Sequence, residues 1–442
     1  MSKINLNKIK KIHFIGIGGI GISAIAKMMT LEGKEVSGSD SSEGNITEQL
    51  KKIGVLINIG HNKQNLKPDT ELVIYTIAIT KDNSELKKAR GLKIPTLSYP
   101  QALGALSEDH YTVAISGTHG KTTTTAMIAK ICIDAGLKPT VVVGSLLRET
   151  SSNFIDGKSD LFIIEACEYR ESFLNLHPRI LAITNIDNDH LDYYKTIGNI
   201  YKAFKKMADK IPADGYLVCN LKNEDIKKLT MGLKCRVVDY SRQKEDFTLK
   251  VLGQHNRENA KVALTIAGIL KVERLRAKKY LADFGGTWRR FEYKGKTKTG
   301  ALVYDDYAHH PTEIKASLSA FREKFPKNKI TVIFQPHLFS RTKSLLKDFS
   351  NSFSDADRII LAPIYAAREK PNKNISSKIL LKKIKSKKAD VLYFENFEKI
   401  ENYLKLDPHG SKNNIIVTMG AGDIYKVGEN LLHERWGIRK SE

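Results

Sequence analysis

The stretch Ser116-Gly117-Thr118-His119-Gly120-Lys121-Thr122-Thr123 restricts the fold more than any other. It follows an apolar run, Tyr111 to Ile115, and precedes a helical pattern, Ala126 to Ala135. A glycine-rich turn between strand and helix leaves backbone N–H groups pointing outward at the helix start, where the helix dipole also favours an anion. A lysine in that place neutralises outer phosphates, and a hydroxyl after it reaches a divalent metal. Lys121 and Thr122 fill these two places, with Gly117, Thr118, His119, Gly120 and Thr123 forming the rest of a nucleoside triphosphate loop. The loop is a variant, because Ile115 stands five residues before Gly120 where the commoner pattern has glycine.

Strand-like and helical runs alternate along nearly the whole chain, which predicts α/β units built on mainly parallel sheets. Strands are expected at Lys11 to Ile15, Glu35 to Gly38, Leu72 to Tyr75, Ala301 to Tyr304, Ile330 to Phe334, Arg358 to Ala362 and Ile415 to Thr418. At 442 residues the chain exceeds a single core. Tyr99 to His110, with Pro100, Gly104 and polar residues before a new apolar strand, suggests a first boundary and Gly285 with Gly286 a second, giving domains 1–108, 109–286 and 287–442. The first and third are expected to be Rossmann-like, the second a phosphate-loop domain. The basic and then apolar start reads as a first strand, because glycines and a helical pattern follow at once. No run approaches the length of a membrane helix. Cys132, Cys167, Cys219 and Cys235 lack metal-binding or disulfide spacing, and a reducing cytoplasm fits them. The formal charge of +23 is spread along the chain and densest in Lys378 to Lys388, where lysines alternate with Ile and Leu as on a solvated helix face. No basic motif with interleaved aromatics accompanies it, so neither a nucleic acid nor a membrane is expected as partner.

A second glycine loop, Gly16-Ile17-Gly18-Gly19-Ile20-Gly21, separates the first strand from an Ala/Ile-rich helical run, and Asp40 follows near the end of the next strand. Alone this arrangement suggests NAD, with Asp40 on a ribose. Beside a triphosphate loop in the next domain, it points instead to a nucleotide diphosphate carried by a substrate.

In this order the motifs resemble the Mur ligase family over nearly the whole chain. The stretches that carry the resemblance are GIGGIGISAIA, GTHGKTTTT, IIEACEYRESF with TNIDNDHLDYY, GQHNRENA, and DDYAHHPTEI with FQPHLFSRT. The GTHGKT and DDYAHHP forms are most similar to the alanine-adding members, with the murein peptide ligases next. The resemblance implies ATP-dependent ligation of L-alanine to the lactyl carboxylate of UDP-N-acetylmuramate through an acyl phosphate, in peptidoglycan precursor synthesis. It implies Lys121 on the phosphates and Thr122, Glu165 and His190 on Mg²⁺. His255, Asn256 and Asn259, just before the helical run Ala260 to Leu270, would meet adenine. Arg290, with Arg289, would reach phosphates and Asp306 the nucleotide ribose. His309 would position the amino acid, whereas Arg341, beside His337, would grip a substrate carboxylate. On the sugar-nucleotide side the resemblance implies Gly18, Gly19, Ile20, Asp40 and His61, in a monomer or weak homodimer.

The chain departs from the family pattern at Cys167, where an acidic residue is common, and at Leu338, where alanine-adding members often carry arginine. The segment between Asp192 and Gly253 also looks short, as though a hairpin were missing. Other readings are a murein peptide ligase taking a recycled peptide, a catalytically silent nucleotide-binding regulator, and an NAD-dependent dehydrogenase. Each has a structural counterpart at the residue level: Glu165 as a strand-end acid, His190 as a helix cap, Asn256 as a helix cap, and Arg341 as a paired surface arginine.

Overall fold

The computed structural model describes residues 4–147, 150–367, 369–384, 390–406 and 414–433. The chain divides into two compact units. The first comprises Met1–Asp187, Ile197–Thr248 and Glu258–Phe284; the second comprises Asn188–Thr196, Leu249–Arg257 and Gly285–Glu442.

Two sheets form the first unit. One has five parallel strands, β1 (Lys11–Ile15), β2 (Glu35–Asp40), β3 (Leu56–Ile59), β4 (Leu72–Tyr75) and β5 (Thr96–Ser98), in the order β3-β2-β1-β4-β5. Ile12, Phe14 and Ile15 of β1 are buried, as expected of a central parallel strand covered on both faces. The strand order reverses between β1 and β4, so the loop after β1 opens at a topological switch point. The other sheet has seven strands, β6 (Tyr111–Ser116), β7 (Thr140–Leu147), β8 (Ser152–Ile155), β9 (Leu161–Glu165), β10 (Ile180–Ile183), β11 (Tyr216–Cys219) and β12 (Arg236–Asp239). They run β12-β11-β10-β6-β9-β7-β8, with only β8 antiparallel to its neighbour.

The second unit holds a six-stranded sheet: β13 (Glu292–Lys296), β14 (Leu302–Asp306), β15 (Lys329–Phe334), β16 (Arg358–Leu361), β17 (Asp390–Tyr393) and β18 (Asn414–Met419). The order is β13-β14-β18-β15-β16-β17, parallel apart from β13. Phe321, Phe334, Phe349 and Phe353 fill the core on one face of this sheet, and Ile333, Ile360, Ile400 and Ile424 belong to the other core cluster.

The structure corrects two local expectations. The boundary stretch Tyr99 to His110 is helical where its Pro100 and Gly104 read as loop residues: Tyr99–Glu108 is a helix with Leu103 and Leu106 buried. Pro100 sits in its first turn, where a missing N–H costs nothing, and Gln101 accepts from the Ser98 N–H to close a capping box. Gly104 is there for proximity, since a Cβ would lie 2.5 Å from the Asn175 carbonyl oxygen. The helix expected from Ala260 begins earlier, at Gln254, and runs to Ile269. In the lysine-rich stretch Ser377–Lys383 is a helix with Leu380 buried, and residues 385–388 lie outside the described residues.

Candidate active site

The phosphate loop joins β6 to the helix Lys121–Asp134. Gly117 (φ +132°) and Gly120 (φ +83°) adopt backbone angles that a side chain disfavours. A Cβ on Gly117 would overlap Thr184 Oγ1, and one on Gly120 would overlap Asn259 Oδ1. The loop is braced from β10 and the turn after it. Asn185 Oδ1 accepts the His119 N–H at 2.9 Å, the Asn185 carbonyl accepts the Thr118 N–H at 3.0 Å, and Thr184 Oγ1 donates to the His119 carbonyl at 2.6 Å. His119 Nε2 lies 3.0 Å from Asp187 Oδ2, while Thr123 is buried in the first helical turn.

Lys121 closes over its own loop. Its Nζ donates to the carbonyls of Gly117 (2.6 Å) and Thr118 (3.1 Å) and pairs with Glu168 Oε2 at 2.9 Å. Burial works against the Lys121 charge, but Glu168 in particular, with Cys167 and Glu165, outweighs it and holds the ammonium above the ordinary lysine range. Lys121 is therefore a cation at neutral pH, held by two loop carbonyls and one carboxylate. Thr122 Oγ1 lies 3.1 Å and 3.0 Å from the two oxygens of Glu165, which ends β9 and also accepts the Gly144 N–H at 2.8 Å. A hydroxyl and a carboxylate converging at a phosphate loop are hard oxygen donors of the kind Mg²⁺ takes, so these residues fit that ion.

The loop after β1 borders a cleft of about 590 Å³ lined by Gly16, Gly18, Gly19, Asp40 and His61 among others. Asp40 Oδ2 accepts the Gly18 N–H at 2.8 Å. Gly16 is the most constrained glycine here, at φ +77° with Thr76 in the way of any Cβ. Ile20 opens the helix Ile20–Leu31 and does not line the cleft; its carbonyl accepts from Ser23 and from Asn153.

In the second unit, Arg341 lies on the helix Phe339–Ser344 and is 7% exposed. Its Nε and Nη2 donate to the two oxygens of Asp189 at 3.0 and 3.1 Å, and Nη1 lies 3.0 Å from His337 Nδ1. Arg341 is thus neither free nor at the surface. Leu338, at φ +70° and buried, caps the same helix and lines a pocket of about 190 Å³ with Asp189, His190 and Arg341. His190 precedes the short helix Leu191–Tyr194 with φ +53° and makes no side-chain capping bond. His309 Nδ1 lies 2.9 Å from the Tyr307 carbonyl, and burial chiefly pushes its imidazole down to about 4. His309 is therefore neutral at pH 7. His310 caps the helix Pro311–Lys324 through Nδ1, which accepts the Thr312 N–H at 3.3 Å, so its Nε2 donates to the Asn188 carbonyl at 3.0 Å.

Asp306 ends β14 with its carboxylate turned inward. It accepts from Phe291 N, Ala308 N and Ser317 Oγ, and burial pushes it up to about 6. Arg289 is corrected from phosphate contact to a structural role: Nε donates to Asp305 (2.7 Å), and Nη1 and Nη2 to the carbonyls of Gly422 (2.8 Å) and Gly420 (2.6 Å). Arg290 stacks over Tyr307, 4.9 Å from the ring centre. His255 and Asn256 lie in the first turn of Gln254–Ile269 and Asn259 in the next. Asn256 Nδ2 donates to the Leu252 carbonyl at 2.7 Å, which is not the acceptor role of a helix cap. Burial pushes His255 down to about 4.

Lys121, Thr122 and Glu165 come together at one loop, whereas His190, His309 and Arg341 belong to the second unit. Glu168, Asn185 and Asp189 were missed as functional candidates although each lies inside a quoted motif; a charged or amide residue within a few positions of a candidate was the available signal. Glu85, beneath the first cleft, sits in no motif at all.

Comparison with known proteins covers most of the chain. Residues 11–111 match the "Mur ligase family, catalytic domain", 115–262 the "Mur ligase middle domain" and 289–422 the "Mur ligase, glutamate ligase domain". The chain is 42% identical to UDP-N-acetylmuramate–L-alanine ligase of Clostridium tetani, over 97% of this chain and 99% of that one. The crystal structure of UDP-N-acetylmuramate–alanine ligase from Thermotoga maritima superposes with a TM-score of 0.80 at 29% identity, covering 95% of this chain and 98% of that one. A murein peptide ligase from Psychrobacter arcticus shares the fold at a TM-score of 0.70 and 24% identity, over 96% and 98% of the two chains.

Proposed function

Because the chain belongs to the Mur ligase family, we propose that it joins L-alanine to UDP-N-acetylmuramate at the expense of ATP, forming an amide bond in peptidoglycan precursor synthesis. The observation that carries this reading is the near full-length 42% identity to a relative bearing that name. Phosphoryl transfer to the lactyl carboxylate gives an acyl phosphate, which the alanine amine attacks with loss of phosphate. Such chemistry needs charge neutralisation and positioning more than covalent help. Lys121 exchanges its loop carbonyls and Glu168 for phosphate oxygens. Thr122, Glu165 and His190 are the proposed ligands of Mg²⁺, which when bound would offset phosphate charge. Asn256 and Asn259 would meet the adenine, with Arg290 and Asp306 on the rest of the nucleotide. Asp40 and His61 would hold the uridine end in the first cleft. His309 and Arg341 would position the alanine.

No described helix is long and apolar enough to cross a membrane. The four cysteines are free, which suits a reducing cytoplasm, the proposed location. The test is phosphate release from ATP with UDP-N-acetylmuramate and a panel of amines. L-alanine should outrank L-serine, glycine and a preformed tripeptide; preference for the tripeptide would overturn the reading.

A further inference from the structure

Under the first cleft lies a buried polar chain that begins at Glu85 and ends at His61. Glu85 is fully buried on the helix Ser84–Gly91. Its Oε2 lies 3.0 Å from His13 Nε2 and accepts from Ser39 Oγ at 2.7 Å; Oε1 accepts the Asn62 N–H at 2.9 Å and Asn65 Nδ2 at 2.8 Å. Burial alone would raise this carboxyl, but the bonds from His13, Ser39 and Asn65 hold it below its ordinary range. Glu85 is therefore an anion with acceptors only.

Ser39 lies between Glu85 and His61, with its Oγ 2.9 Å from His61 Nδ1. A serine hydroxyl has one hydrogen. The short contact to an acceptor-only carboxylate uses that hydrogen, so Ser39 must accept from His61, and His61 must carry its proton on Nδ1. In the neutral ring Nε2 is then a bare acceptor. Among the described residues no protein group bonds Nε2, and His61 borders the cleft. In water the neutral imidazole favours the opposite tautomer, so the buried chain imposes a form that solvent would not.

We propose that Glu85, acting through Ser39, is a positioning residue that fixes His61 in the Nδ1–H tautomer, so that His61 Nε2 accepts a hydrogen bond from a donor on the sugar-nucleotide substrate. The donor is a ribose hydroxyl or the imide N–H of uracil. A cytosine ring offers no imide N–H, and a dideoxyribose offers no hydroxyl. The ligand half of this inference rests on the proposed sugar-nucleotide reading, whereas the tautomer half stands without it.

The test is ¹⁵N NMR of the histidine side chains in the full-length protein, followed by titration with UDP, CDP and 2′,3′-dideoxyuridine diphosphate. Wild type should show His61 protonated at Nδ1, and Ser39→Ala should move the proton to Nε2. UDP affinity should fall about tenfold in Ser39→Ala with ATP affinity unchanged, as for a lost hydrogen bond facing a mismatched donor. Glu85→Gln is the second variant, and it should show the same tautomer change if it folds. Weak binding of CDP identifies the imide as the donor; weak binding of the dideoxy compound identifies the hydroxyl. Nε2 protonation in wild type, or an unchanged tautomer in Ser39→Ala, overturns the inference. A correct tautomer with no affinity for any of the three nucleotides overturns its ligand half and the uridine assignment, while leaving the relay.

Discussion

Replacing Asp189 by asparagine isolates what its pairing with Arg341 contributes. The two side chains are only 10% and 6% exposed, and the guanidinium meets both carboxylate oxygens. Burial opposes the Asp189 charge, but the Arg341 guanidinium outweighs it and holds the carboxyl well below the usual carboxylate range, so the carboxylate is ionised throughout the neutral range. Asn retains one acceptor and loses the charge, which leaves Arg341 buried without compensation. Removing one partner of a buried pair costs about 3–5 kcal/mol, and the retained acceptor recovers a net hydrogen bond of about 1 kcal/mol, so roughly 2–4 kcal/mol is expected. For a unit of this size that is a fall in Tm of about 5–15 °C. Thermal melting of the purified variant measures it. The uncompensated charge, not the lost contact, is the cause invoked, so adding Arg341→Gln to Asp189→Asn should recover part of the loss. Additive destabilisation in the double variant would refute the reasoning, as would a Tm within about 1 °C of wild type for Asp189→Asn alone.

Lys121→Ala should lower phosphate release by about a hundredfold or more while circular dichroism stays native, because a preorganised charge at the transferring phosphoryl group is lost. Glu165→Gln and His190→Ala should each raise the Mg²⁺ concentration for half-maximal activity; an unchanged midpoint with a lower Tm would make them structural. Arg341→Lys should raise KM for L-alanine while KM for ATP holds, since the charge survives without the fork. Asp306 has a folded value pushed up to about 6, so the stability it contributes is present below its unfolded value of about 3.9 and is lost as pH rises through about 6. Asp306→Asn should therefore flatten the decline in urea stability between about pH 4 and 6, and an unchanged slope would refute the inward, desolvated carboxylate.

The sheets were legible because their strands are apolar runs between punctuating glycines. Lys11–Ile15 and Leu72–Tyr75 have the bounds their sequence predicts. What failed did so for tertiary reasons. Pro100 and Gly104 read as loop residues, yet one begins a helix and the other lets it approach Asn175. The polar first turn Gln254–Arg257 concealed the true start of its helix. At the site, local motifs exposed the phosphate loop and Glu165, because strand, glycines and lysine are contiguous in the chain. They did not expose what each side chain is bonded to. Arg289 and Arg290 are neighbours in sequence, but Arg289 spends its donors on Asp305 and two carbonyls while Arg290 lies against Tyr307. Glu85 acts on residues from three separated segments, around His13, Ser39 and Asn62, and no short window contains that pattern.

The helix that opens the first cleft is secured by residues synthesised much later. Asn153, on β8, donates to the Ile20 carbonyl and to Ser23 Oγ, and its Oδ1 accepts from the buried Lys27 ammonium at 3.1 Å. These contacts span 126 to 133 positions of sequence. The first hundred residues hold the glycine loop and all five strands of its sheet, but in a nascent chain of that length Ser23 and Lys27 still lack Asn153. Loop closure over such a distance is slow compared with forming the local βαβ units. Assembly of the sugar-nucleotide cleft is thereby tied to translation of the β7–β8 hairpin, and an isolated first domain would expose a polar seam that the whole protein keeps dry.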